Sequence, residues 1–95
     1  MPKPNREIGE VVVPILRRHG ATRAGVFGSC ARGTMSEDSD IDILVEIAAD
    51  KSLLEFIAIK LEIEEALGQK VDLVEYDAIK PLLRDRILNE QVQIL

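Results

Sequence analysis

The chain has 95 residues, 46% hydrophobic and 31% charged, the make-up of one folded domain with a single core. A net charge of −5 argues against a module that grips a nucleic-acid backbone by itself, since such modules draw their affinity from neutralising phosphates. One cysteine excludes an internal disulfide, and no uncharged apolar run approaches the ~20 residues that span a bilayer.

The start of the chain, Met1-Pro2-Lys3-Pro4-Asn5-Arg6-Glu7, is polar and lacks the apolar centre of a signal peptide, so a cytoplasmic protein is expected. From Asn5 to Arg18, Ile8, Val11, Val12, Ile15 and Leu16 recur at helical spacing. Pro14 removes one internal hydrogen bond, which predicts a kink or a late start. His19-Gly20 ends the helix, with Gly20 a natural left-handed terminator and His19 a capping residue. Ala21 to Phe27 reads as a strand feeding into Gly28-Ser29. A short helix over 29–33 and a polar loop to Ser39 should follow.

Asp40 to Ile47 is the clearest strand. Its alternation sends Ile41, Ile43, Val45 and Ile47 to one face and Asp40, Asp42, Leu44 and Glu46 to the other. Ser52-Leu53-Leu54-Glu55 is a capping box that opens a helix running to Leu67 and stopping at Gly68. Glu62, Glu64 and Glu65 should form its wet side. Lys70 to Val74 predicts a third strand, and Tyr76 beyond it a surface loop residue. Lys80 to Glu90 predicts a last helix with Pro81 near its start, and Val92 to Leu95 a final edge strand. This order predicts one α/β (α+β) domain over 1–95: a small mixed β-sheet with helices packed on one face.

Asp40 and Asp42 emerge on the same face of one strand, and carboxylates so spaced suit a hard cation such as Mg²⁺. Asp72, inside Val71-Asp72-Leu73-Val74, is costly to bury unpaired and is better placed lining a site. If its strand lies beside Asp40–Ile47, the three acids can hold two metals about 4 Å apart. Gly28-Ser29 is the counterpart: glycine lets a phosphate approach the backbone, and a following helix start offers free N–H groups. The Ser29 hydroxyl can donate to a phosphate oxygen, and Arg32 can add charge one turn further on. Cys30 has no activating histidine nearby in sequence and reads as a packing residue. Glu37 and Asp38 read as solvated loop residues. Together these features suggest metal-assisted chemistry on a nucleoside triphosphate.

The run Gly28-Ser29-Cys30-Ala31-Arg32-Gly33, with Ser39-Asp40-Ile41-Asp42 downstream, resembles the signature of the DNA polymerase β-type nucleotidyltransferases. The short length and the Ala-Arg-Gly continuation resemble its minimal nucleotidyltransferase branch. The resemblance implies that Gly28 and Ser29 bind the triphosphate of ATP, that Asp40 and Asp42 bind two Mg²⁺ ions, and that Asp72 completes the triad and helps activate the attacking hydroxyl. It also implies a partner. Little chain remains to hold an acceptor, and chains of this branch are commonly paired with a HEPN-domain toxin, to which they transfer AMP on a tyrosine as antitoxins. A small-molecule acceptor, or neutralisation by contact without catalysis, are the alternatives.

Overall fold

A computed structural model describes residues 5–28, 40–47 and 51–95. Helix α1 spans Asn5–Arg18 and sets Ile8, Val12 and Leu16 fully into the core, one residue per turn along one stripe. Pro14 lies inside it without delaying its start. Gly20, at φ 85°, turns the chain as expected: its N–H donates to the Arg17 carbonyl at 3.1 Å and the Ala21 N–H to the Leu16 carbonyl at 3.0 Å.

Four strands form one sheet in the order β3-β2-β1-β4. They are β1 (Arg23–Phe27), β2 (Ile41–Glu46), β3 (Val71–Glu75) and β4 (Val92–Gln93). β1 runs antiparallel to both β2 and β4, whereas β2 and β3 are parallel. A parallel pair needs a crossover, and helix α2 (Leu53–Leu67) supplies it. The N-cap half of the expected capping box is present, the Glu55 N–H donating to Ser52 Oγ at 3.1 Å, while Glu55 Oε1 accepts from the Ser52 hydroxyl at 3.3 Å in place of the backbone N–H. Such a cap is worth about 0.5–2 kcal/mol. At the other end Gly68, at φ 69°, donates its N–H to the Glu64 carbonyl.

The alternation read from β2 holds on both faces. Ile41, Ile43 and Val45 are fully buried against α1 and α2, in one cluster with Ile59, Ile63 and Leu67. On the other face Leu44 is also fully buried, with Tyr76 and Ile79. Ile87 and Leu88 of helix α3 (Pro81–Glu90) pack there too. Two helices thus cover one face as expected, while α3 and the 3₁₀ turn Tyr76–Ala78 partly cover the second.

Three readings need correction. Tyr76 is not a surface residue. It is 2% exposed, its hydroxyl donates to Gln91 Oε1 at 2.8 Å, and the Arg23 guanidinium lies 3.9 Å from its ring centroid. The acids of α2 are not all simply wet: Glu62 pairs with Arg18 and His19, and Glu64 Oε2 accepts the Val71 N–H at 2.8 Å. His19 does not act as a simple helix cap, because its Nε2 sits 2.9 Å from Glu62 Oε1. Burial, then the neighbouring Arg18 charge, lowers its pKa.

Candidate active site

The sheet register builds the candidate site. Phe27 of β1 is paired with Asp42 of β2, and Asp42 is paired with Asp72 of β3. Residues in register on neighbouring strands lie about 4.8 Å apart and point to the same face. Asp42 and Asp72 are therefore side by side, on the face opposite α1 and α2. Asp40 precedes β2 by one residue and shares that face by alternation. Asp40 and Asp72 are exposed and Asp42 is half-buried.

Gly28 directly follows β1, so the Phe27–Asp42 pairing brings it to the same end of the row. Its φ of 67° is left-handed, and a Cβ built there would collide with Asp42 Oδ2. The missing side chain is the space that the Asp42 carboxylate occupies. Ser29, Arg32, Cys30, Glu37 and Asp38 lie outside the described residues.

The side chains are less closely gathered than the backbone. Among the described residues no three His, Cys, Asp or Glu side chains form a group able to hold a metal ion as they stand. The donor set still suits a hard divalent ion: carboxylate oxygens from adjacent strands, two of them exposed, with a glycine clearing room for the third.

The far end of this face is closed. Arg23 Nη2 lies 3.4 Å from Glu46 Oε2, and the Tyr76 ring stacks over the same guanidinium. A Cβ at Gly25 would collide with Gln91 Oε1, the atom that receives the Tyr76 hydroxyl. Sequence reasoning did not find this network. Its one available signal was Gly25 itself, since a glycine inside a strand often marks a close approach of other groups.

A strand-borne pair of acids beside a left-handed glycine defines a site but not a family. The nucleotidyltransferase domain family matches residues 10–94, a span that includes every one of these residues. The chain belongs to that family. This nucleotidyltransferase is 54% identical over 89 residues to a protein of Methanocaldococcus jannaschii provisionally named a protein adenylyltransferase, covering 94% of this chain and 96% of the relative. It is 43% identical over 77 residues to the protein adenylyltransferase MntA of Thermococcus cleftensis, covering 81% and 78%.

Solved structures agree with the fold. One provisionally described as a minimal nucleotidyltransferase superposes with a TM-score of 0.80 at 42% identity, over 92% of this chain and 89% of that one. A toxin–antitoxin structure with AMP-PNP gives 0.81 at 25% identity, over 92% and 72%. At 20% identity, a tri-AMPylated Shewanella oneidensis HEPN toxin in complex with an MNT antitoxin shares the fold at a TM-score of 0.75, over 96% and 71%.

Proposed function

We propose that this nucleotidyltransferase moves AMP from ATP to a hydroxyl, a tyrosine, of a HEPN-type toxin and so acts as its antitoxin. The observation that carries the reading is the in-register placement of Asp42 and Asp72 beside Gly28. Similarity to two protein adenylyltransferases supports the adenylyl donor and the protein acceptor. Fold neighbours solved as toxin–antitoxin complexes support the HEPN partner.

Asp40, Asp42 and Asp72 are the residues that would hold two Mg²⁺ ions, which would neutralise triphosphate charge and favour the ionised acceptor hydroxyl. Gly28 lets the triphosphate approach the backbone at the end of β1. Ser29 and Arg32 bind its oxygens. The acceptor oxygen attacks the α-phosphorus in line, the bond to the β-phosphate bridging oxygen breaks, and pyrophosphate leaves with that electron pair. Asp72, exposed on the edge strand of the described sheet, would face the acceptor and take up its proton. Among the described residues no helix is long and apolar enough to cross a membrane, and we place the enzyme in the cytoplasm with no direct nucleic-acid contact.

The test is mass spectrometry of the partner toxin incubated with the protein, ATP and Mg²⁺. Added AMP on a partner tyrosine, lost with Asp40→Ala, supports the reading. Full neutralisation of an unmodified partner would show inhibition by contact alone, and modification only of a small molecule would change the acceptor class.

A further inference from the structure

In-line transfer fixes where an acceptor can stand. The attacking oxygen lies opposite the leaving pyrophosphate across the α-phosphorus, so the place of the triphosphate tail decides the side of entry. On the transfer reading, Gly28 holds that tail at the end of β1, one residue beyond the level of the Phe27–Asp42 pair. From Gly28 to Asp42 is one strand across and one residue along the sheet. Continued by the same step, the line meets β3 at the level of Leu73, one residue past the Asp42–Asp72 pair.

Leu73 itself points to the α1–α2 face and is buried there. The side chains that flank this point on the site face are its two neighbours, Asp72 and Val74. Asp72 is an exposed carboxylate and Val74 a half-buried aliphatic group. Val74 packs on the cluster of Leu44, Tyr76 and Ile79. Yet Leu44, in register with it on β2, is fully buried, whereas the cover is incomplete at Val74 on the edge strand. Room for a ring is at hand, because Val74 and Ala78 are among the residues lining an open groove of about 460 Å³ at this edge of the described sheet.

We propose, on that transfer reading, that Val74 is a specificity-determining residue for the acceptor: it packs against the ring of a tyrosine whose hydroxyl points at Asp72, and so favours a phenol over an aliphatic alcohol. The two neighbours divide the task. Asp72 takes the proton as the phenolic oxygen bonds to the α-phosphorus, and pyrophosphate leaves with the electron pair of the broken bond. A phenol, with a pKa near 10, gives up that proton more readily than an aliphatic hydroxyl. Its flat apolar body also covers the open surface of Val74, which a serine side chain is too short and too polar to do.

The test is competition between N-acetyl-tyrosinamide and N-acetyl-serinamide as acceptors, with ATP and Mg²⁺, read by mass spectrometry. The wild-type chain should prefer the tyrosine amide. Val74→Thr, which keeps the shape and adds a hydroxyl, should lower that preference roughly tenfold, the low end of what one apolar contact contributes to discrimination. The KM for ATP should stay at the wild-type value. A ratio of products cancels the fraction of folded enzyme, so partial unfolding does not imitate this result. An unchanged preference in Val74→Thr overturns the proposal, as does a KM for ATP that rises as far as the preference falls. If the wild-type chain transfers AMP neither to these amides nor to the partner toxin, the transfer reading fails, and the contact is judged by binding. The Val74 methyl resonances of the wild-type chain, with Mg²⁺ and α,β-methylene ATP, should shift on titration with N-acetyl-tyrosinamide and stay in place with N-acetyl-serinamide. Methyls that do not move, or that move equally with both amides, overturn the contact.

Discussion

The two faces of the sheet carry different burdens. On the α1–α2 face every β2 side chain, Ile41, Ile43 and Val45, is fully buried among aliphatic neighbours. The opposite face is divided along its length. Leu44 is dry beneath Tyr76 and Ile79, while Asp42, two residues earlier on the same side of the same strand, is half-buried beside an exposed Asp72. Aliphatic packing is concentrated where the strand alternation meets two helices, and the candidate site lies where the sheet is less covered. Substitutions on the two sides of β2 should therefore separate folding from activity.

The largest effect is expected from Asp42→Asn, which keeps the volume and removes the charge. Nucleotide transfer should be lost while the far-UV circular dichroism and a cooperative unfolding transition are retained, because Asp42 lies outside the buried aliphatic cluster. Transfer at the wild-type rate by the Asp42→Asn protein would remove Asp42 from the site. On the other side of the same strand, Ile43→Ala should cost about 2–5 kcal/mol of stability in denaturant titrations, with transfer per folded molecule preserved below the melting range. An equal loss of specific activity would mean that the two faces are coupled.

Smaller effects sharpen the division. Ser29→Ala should weaken ATP binding by about 1.5–3 kcal/mol, one to two decades, for one lost hydrogen bond to a charged phosphate. Adenosine binding should change less, and calorimetry with both ligands decides it. At the closed end of the face, burial raises the Tyr76 pKa, against the lowering influence of Arg23 and the Gln91 hydrogen bond. A phenol with a folded pKa above its unfolded value near 10 gives stability that is present below that value and is lost as pH rises through the folded pKa. Absorbance titration of this sole tyrosine should show a midpoint above 10, falling back on unfolding. A native midpoint at the unfolded value would contradict its burial.

Most of the fold was legible because local signals agreed with one another. The Asp40–Ile47 alternation, the Ser52 capping box, and Gly20 and Gly68 as terminators each depend on neighbours along the chain, and each was found. What escaped depends on partners far away in sequence. Tyr76 looked like a loop tyrosine because Arg23 and Gln91, which bury it, meet only in the folded sheet. Glu64 looked solvated because Val71 reaches it only after the turn at Gly68. The candidate site divides likewise. The acids could be named from residue type and spacing, whereas the register that sets Asp72 beside Asp42 belongs to the strand pairing.

Gly28 has a consequence for how this protein can change over generations. Every other amino acid carries a Cβ, so each replacement there meets the same two obstacles: a left-handed backbone and the oxygen of Asp42. No graded series of side chains leads away from glycine at this position, as one does from Ile43 through valine to alanine. This close approach of backbone and carboxylate can be lost there in one mutational step, and the direct way back is reversion to glycine.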